Sequence, residues 1–191
     1  MDDTEIVVVD DRELLKIDNV IRDFERISGA ILNRSEKSKI MGLGTWSGRT
    51  NWPLKWLKVV DKLKIFGVLM SPKLDTILDD NWSSILEKLK KTLFSWSTRS
   101  LTALIERTEI LKVFGLSRLW YMAQILPLLP PWAARFEREI RKFLWKGQPV
   151  KNPLPLTTVC LQRNKGGLNF PCIRAKSDAL LAKQALRIVN S

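Results

Sequence analysis

The 191 residues suffice for one or two small domains, and an apolar content of 45% can bury a core, which excludes a globally disordered chain. The absence of histidine excludes His-based acid–base catalysis, nucleophilic triads built on His and His-containing metal sites. The formal net charge of +12 indicates an anionic partner.

The charge is distributed unevenly along the chain. Residues 1–30 hold nine acidic and four basic side chains, whereas residues 31–191 hold eleven acidic and twenty-eight basic ones. Nucleic acid is the commonest polyanionic partner of such a basic region, and an anionic membrane surface is the alternative.

Cysteine usage and hydropathy bear on the compartment. Cys160 and Cys172 are twelve residues apart and fit neither a C-x-x-C metal pair nor a disulfide framework, which favours a reducing, intracellular setting, in the nucleus or the cytoplasm. No apolar run approaches the roughly 18 residues that span a bilayer. The acidic start of the chain does not have the pattern of a signal peptide.

The first seventy residues read as strands and one helix. "EIVVV" at residues 5–9 predicts a buried strand, and the spacing of Leu14, Ile17, Ile21 and Phe24 predicts a helix that ends at Ser28–Gly29. Residues 39–44 and 63–70 predict two further strands, separated by a loop. This order suggests the edge of an α/β domain.

The rest of the chain reads as helical. Predicted helices cover residues 85–93, 101–126, 132–145 and 179–189, and prolines end the second of these helices. A linker is predicted at residues 146–155 and a turn at residues 163–171. The predicted fold is therefore α+β, with short strands at the N-terminus followed by a mostly helical region. We divide the chain into residues 1–72, 73–147 and 148–191.

Asp2 and Asp3 stand directly before the predicted strand. An isolated Asp-Asp pair is most often only a solubilising feature. Before a strand, and followed by a basic helical region, such a pair also suits a Mg²⁺ site for phosphoryl transfer, because Mg²⁺ prefers a few hard oxygen ligands.

Several segments resemble one family when they are taken in order. They are "MDDTEIVVV", "ERISGAILNRSEKSKIMGLG", "LKIFGVLM", "SWSTRSLTALIERTEILKVFGLSRLWYMAQILPLLP", "EREIRKFLWKG" and "KGGLNFPCIRAKSDALLAKQALRIV". Together they resemble the end of the palm, the thumb and the post-thumb region of non-LTR (LINE-type) retrotransposon reverse transcriptases, which are transposable-element enzymes. The resemblance extends over nearly all of the chain.

The resemblance implies an RNA-directed DNA polymerase with particular site residues. Asp2 and Asp3 would be catalytic ligands of Mg²⁺, Asn33 and Lys37 match a family segment in which the lysine acts in catalysis, and the primer-grip segment falls on Phe66, Gly67 and Val68. The chain begins within the Asp-Asp motif, without its preceding aromatic residue, and Lys37 follows Asn33 by four residues rather than the usual three.

These departures predict a truncated enzyme. The fingers, the remaining palm with its other metal-binding aspartate, the endonuclease domain and the zinc knuckle are expected to be missing. The fragment should therefore be inactive alone, should retain template–primer binding and could pair with the missing upstream polymerase half. The alternative is a non-catalytic, basic nucleic-acid-binding module.

The candidate nucleic-acid contacts are basic and aromatic. Basic side chains on the predicted helices are expected to contact phosphates, although a charged helix face is often only solvated; they are Lys88, Lys90, Lys91, Arg99, Arg135, Arg138, Arg141 and Lys142. Tryptophans could stack on bases, but at helical spacing they are more often core residues; they are Trp46, Trp52, Trp56, Trp82, Trp96, Trp120, Trp132 and Trp145.

Overall fold

The computed structural model describes residues 4–34, 37–99, 103–146 and 154–190. The chain divides into two compact units, Met1–Ile77 and Leu78–Ser191. The described residues form seven α-helices and four short strands, and all four strands lie in the first unit. The prediction of an α+β fold with a mostly helical region is confirmed.

The first unit opens with helix α1, Asp11–Ser28. The Asp10 side chain accepts a bond of 2.7 Å from the Glu13 N–H, and the Val9 N–H donates to the Glu13 carboxylate at 2.9 Å. At the other end Gly29 has φ 72°, and its N–H donates to the Glu25 carbonyl. The predicted helix end at Ser28–Gly29 is confirmed, because only a residue that tolerates a left-handed backbone closes the helix in this way.

The predicted buried strand at residues 5–9 is wrong. Residues 4–8 are irregular, and Val7 and Val9 are 92% and 79% exposed. A β-strand exists only when a neighbouring strand takes its backbone hydrogen bonds, and no strand in the described part of the chain pairs with this segment. β-branched composition alone therefore does not produce a strand here.

A small core and a two-residue parallel pairing complete this part of the first unit. β1, Lys39–Ile40, pairs with β2, Lys58–Val59, and the predicted strand at 39–44 is thus shortened. Gly42 lies against the Trp46 carbonyl, where a Cβ would collide, and a 3₁₀ turn follows at Gly44–Trp46. Leu14, Trp52 and Leu54 form the core cluster.

Residues 63–70 form a hairpin rather than one strand, which corrects the sequence prediction. β3, Leu63–Ile65, pairs antiparallel with β4, Val68–Met70, with Ile65 opposite Val68. Phe66 and Gly67 both have positive φ, 45° and 82°, as in a two-residue type I′ turn. Gly67 was the sequence signal for this turn, since glycine interrupts an apolar run that otherwise reads as continuous.

The second unit is a cluster of helices around one apolar core. Its first helix, α2, spans Leu74–Ser97, so its first four residues belong to the first unit. The next three helices are α3, Leu104–Ile110, α4, Ser117–Met122, and α5, Pro130–Leu144. α6, Leu156–Cys160, and α7, Ile173–Val189, complete it. The largest fully buried side chains lie here: Trp82, Leu111, Leu116, Leu119, Phe136, Ile140, Leu144 and Val159.

The predicted long helix at 101–126 is divided, and residues 101–102 lie outside the described residues. Between α3 and α4 a π-helical segment, Leu111–Gly115, inserts an extra residue, with the Leu116 N–H donating to the Leu111 carbonyl at 2.9 Å. α4 ends at Met122, and the Pro127 carbonyl accepts a bond of 3.1 Å from the Trp82 indole N–H. Turn residues follow α4 as far as Leu126, whose N–H donates to the Met122 carbonyl at 2.9 Å, and Pro127 has no N–H with which to continue this series.

Three further predictions concern the end of the chain. α7 begins at Ile173, six residues before the predicted start. The predicted turn is confirmed: a 3₁₀ turn at Arg163–Lys165 leads to Gly166 with φ 79°. Most of the predicted linker, residues 147–153, lies outside the described residues, and α6 follows it directly.

Candidate nucleic-acid interface

Helix α5 presents an apolar face to the core and a basic face to solvent. Its buried side chains are Trp132, Ala133, Phe136, Ile140, Phe143 and Leu144. The four predicted contacts on this helix, Arg135, Arg138, Arg141 and Lys142, are all exposed. They lie opposite the buried residues because successive residues turn by about 100° around a helix. One helix therefore groups four cations on one surface.

The four cations differ in what holds them. Lys142 forms an ion pair of 2.8 Å with Glu139, and the Arg135 guanidinium lies 4.4 Å from the centroid of the Trp132 ring. Within the described ranges Arg138 and Arg141 have no acidic partner. No described acidic side chain compensates these two charges, so both are available to an anion.

Helix α2 divides its lysines between two sides. Lys90 pairs with Glu87 at 2.7 Å, and this hydrogen bond raises the pKa of Lys90, with a smaller contribution from Glu139 on α5. Lys88 lies about 200° away from Lys90 around the helix, so it points to the opposite side. Lys91 lies about 60° from Lys88 and about 100° from Lys90, and no described acidic side chain pairs with Lys88 or Lys91.

The predicted set on α2 is therefore two groups rather than one. Lys90 is paired with Glu87 and is close enough to Glu139 on α5 for that charge to act on it, whereas Lys88 and Lys91 have no described acidic partner. Arg99 follows the end of α2, is exposed, and places its guanidinium carbon 4.1 Å from the centroid of the Trp96 ring. Sequence spacing alone does not separate these groups, because it does not say which side faces a neighbouring helix.

The predicted primer-grip residues occupy the hairpin of the first unit. Phe66 is 79% exposed at the tip, whereas Val68 is 3% exposed and belongs to the buried interior. The Val68 side chain therefore packs inside the first unit, and the assignment of residues 66–68 to primer positioning stays a prediction. Phe66 and the Gly67 backbone remain accessible.

Asn33 and Lys37 lie in the loop after α1. Arg34 forms a bidentate ion pair with Glu25, at 2.8 and 2.7 Å, and the Leu32 N–H donates to Glu25 at 2.6 Å. These bonds lower the pKa of Glu25, with the Arg34 contribution the largest. They hold the start of the loop against α1, and the Lys37 side chain is exposed beyond it.

Asp2 and Asp3, the predicted catalytic and metal-binding residues, lie outside the described residues. Among the residues that the structure does describe, no group of three or more Asp, Glu, Cys or His side chains is placed to hold a metal ion. Mg²⁺ binding by Asp2 and Asp3 therefore stays a prediction from the resemblance.

Most tryptophans contribute to packing. Trp52, Trp82 and Trp132 are at most 6% exposed, so these three are core residues and cannot stack on bases. Trp46, Trp56, Trp96, Trp120 and Trp145 are half-buried. Trp96 also contacts Phe114, with ring centroids 5.1 Å apart and ring planes at 30°. Phe114 was not among the sequence candidates, since it looked like one more apolar position of a long helix.

The two cysteines, isolated in the sequence, are neighbours in the structure. The N–H groups of Leu168 and Phe170 donate to the Val159 carbonyl, which brings the start of α7 back to the end of α6. Burial raises the pKa of the Cys160 thiol to about 11, and the nearby Cys172 thiol contributes to the same shift. Both cysteines are free.

Comparison with profiles of protein families, with curated proteins and with solved structures finds no match.

No helix within the described ranges combines the length and the apolar character that a membrane crossing requires.

Proposed function

We propose that this chain is the template–primer-binding portion of a LINE-type reverse transcriptase and binds nucleic acid through phosphate contacts, without polymerising by itself. The observation that carries the proposal is the face of α5. Four cations lie there opposite a fully buried apolar face, and two of them have no acidic partner in the described chain.

The chemistry of that face favours a polyanion. Like charges on one helix side repel one another, and a row of phosphates relieves this repulsion while it releases condensed counterions. The apolar side of α5 is already used in the core, so the exposed side offers charge and hydrogen-bond donors but little hydrophobic surface. Guanidinium groups suit phosphate oxygens in particular, because they can donate two parallel hydrogen bonds.

The reverse-transcriptase part of the proposal is supported by the order of the resembling segments and by the hairpin. Phe66 is an exposed aromatic residue held at φ 45°, a backbone region that a bulky side chain rarely adopts. Residues held in such conformations cluster at ligand-contacting sites. An aromatic ring at a hairpin tip suits a role in positioning the primer end.

The alternative function is a binding module that never took part in catalysis. Template-dependent nucleotide incorporation separates the two. Incorporation by the chain only when it is mixed with an upstream polymerase half, and its loss in an Asp2→Ala variant, would favour the enzyme-derived proposal. Incorporation by the purified chain alone would contradict its proposed inactivity. Binding without incorporation in either mixture would favour the module.

The phosphate-binding proposal is tested by the salt dependence of duplex affinity. If about four phosphates are engaged, the plot of log affinity against log salt should have a slope of about −3 to −4. The double variant Arg138→Gln/Arg141→Gln should make that slope shallower by about 2 and should weaken all duplex sequences alike.

A matched control keeps the same change in net charge. Arg118 on α4 and Lys183 on α7 are exposed and have no acidic partner among the described residues, so Arg118→Gln/Lys183→Gln should leave the slope nearly unchanged. If both double variants lower affinity equally, binding follows net charge alone and the assignment to α5 is wrong. If duplex affinity does not depend on salt, the proposal as a whole is wrong.

A further inference from the structure

The end of α2 bears a small, partly exposed aromatic cluster. Trp96 in the last turn of α2 contacts Phe114 of the π-helical segment, and the Arg99 guanidinium lies over the Trp96 ring. We propose that this aromatic platform, Trp96, Phe114 and Arg99, stacks an unpaired base of single-stranded nucleic acid. The inference rests on the proposed function, since it adds a base contact to a phosphate-binding chain.

The π-helical segment explains why an aromatic ring is available there. Within Leu111–Gly115, Leu111 and Gly115 are buried, whereas Phe114 is 51% exposed. A Cβ on Gly115 would come within 3.2 Å of Leu89, so this part of the segment packs closely on α2. The extra residue of a π-helix re-aims the intervening side chains, and such segments are frequent at functional sites. Phe114 is thereby held outside the core at a fixed position.

The charges beside the platform select the occupant. Lys88 is exposed and lies about 80° from Trp96 around α2, on the same half of the helix, and the Arg99 guanidinium lies directly over the Trp96 ring. α2 rises about 1.5 Å per residue, so Lys88 lies about 12 Å from Trp96 along the helix axis. Cations that lead to an aromatic surface form the combination that holds single strands, in which the backbone follows the charges and a base stacks on the ring.

The platform distinguishes single strands from duplex. Every unpaired base offers a flat face, so stacking on Phe114 or on the Arg99 guanidinium needs no particular sequence. Inside a duplex those faces are already stacked on neighbouring bases. The basic face of α5 would contact the duplex phosphates, and the platform would contact a single-stranded overhang.

The test compares three probes: oligothymidylate, an abasic strand of the same length and a duplex. The abasic strand keeps the phosphates and loses only the stacking faces. Phe114→Leu keeps an apolar side chain of similar size and removes the ring. It should weaken oligothymidylate binding by roughly tenfold and leave the abasic strand and the duplex unchanged.

Phe94→Leu is the matched control. Phe94 lies on α2, two residues before Trp96, and is 72% exposed, and no ring contact joins it to another described aromatic residue. This variant should bind all three probes as the parent chain does. Equal far-ultraviolet circular dichroism and equal thermal unfolding of both variants would show that neither substitution changes the fold.

Three outcomes would overturn the inference. The first is equal binding of oligothymidylate and the abasic strand, and the second is an unchanged affinity in Phe114→Leu. In either case the proposed function survives if duplex affinity still depends on Arg138 and Arg141. The third is a parent chain that binds none of the three probes, which overturns the platform and the proposed function together.

Discussion

At the scale of single residues, Arg107 places a cation inside the second unit. Its side chain is 7% exposed, and its guanidinium donates a bond of 2.6 Å to the Leu144 carbonyl at the end of α5. Carbonyls in the last turn of a helix lack an intrahelical partner, so the buried charge satisfies one of them. Arg107 thus joins α3 to the helix that bears the basic face.

Replacing Arg107 with Met should lower the free energy of unfolding by about 1.5–3 kcal/mol, because a charge-assisted hydrogen bond is lost and a buried carbonyl loses its donor. Denaturant unfolding would measure this change. Arg118→Met, at an exposed position, should change stability by no more than about 0.5 kcal/mol. Equal effects of the two substitutions would show that the Arg107 bond contributes nothing.

The two turn residues of the hairpin should respond to substitution in opposite directions. Gly67→Ala should destabilise the hairpin by about 1 kcal/mol, since a Cβ is unfavourable at φ 82°. Phe66→Asn should stabilise it, because asparagine tolerates φ 45° better than phenylalanine does. Thermal unfolding measures both effects.

The same Phe66→Asn variant also tests function. If the exposed ring positions a primer end, the more stable variant should bind a primer–template less well than the parent chain does. If Phe66→Asn is more stable than the parent chain and binds the primer–template equally well, the Phe66 ring has no role in binding.

At the scale of elements, the loop after α1 depends on an ionised Glu25. The pKa of Glu25 lies below its usual value near 4.5, chiefly because of the Arg34 hydrogen bonds. Its contribution to stability is therefore fully present above that usual value and is lost as the pH falls through the lowered pKa. The loop should accordingly come away from α1 only in acid.

Hydrogen exchange at the Leu32 amide can measure this effect, since that N–H donates to Glu25. Its protection factor should stay constant above about pH 5 and fall in acid. In Glu25→Gln the protection should be lower at neutral pH and independent of pH. A protection factor in the parent chain that does not change in acid would contradict the role of Glu25.

The N-terminal segment should be among the least protected parts of the chain. Residues 5–8 show no hydrogen bonds from their backbone N–H groups to described partners, whereas α4 lies within the helical core with Leu119 fully buried. Amides of residues 5–9 should therefore exchange faster than those around Trp120. Equal protection at both places would indicate that the segment is paired in solution.

At the scale of the whole molecule, the burial of the apolar face of α5 bears on whether the partner is nucleic acid or a membrane surface. A helix that lies on a bilayer inserts its apolar face, but the apolar face of α5 is already packed in the core. At equal salt the chain should therefore bind duplex more tightly than anionic liposomes. Gel shift and liposome flotation provide the comparison, and stronger binding to liposomes would favour the membrane alternative.

The helices were largely predictable because their signals are local. The apolar spacing of α1 and Gly29 just after it indicated both its existence and its end, and the amphipathic pattern of α5 indicated its basic face. The strands were predictable only in part, because a strand depends on a partner that its own sequence does not name: β1, β3 and β4 lie within predicted strands, but their lengths and pairings were not predicted. Residues 5–9 have strand composition without a partner, whereas Lys58–Val59 forms a pairing that composition did not indicate.

The sequence by itself determined the helical character of the second unit, the basic excess beyond residue 30 and the four cations on one side of α5. Each of these follows from composition or from a helical period. Only the tertiary structure decided that the charge of Glu139 on α5 acts on Lys90 of α2, that Phe114 reaches Trp96, and that Cys160 lies beside Cys172. These juxtapositions arise from packing between elements distant in the chain, and a periodic pattern defines which side of a helix is apolar without defining which neighbour covers it.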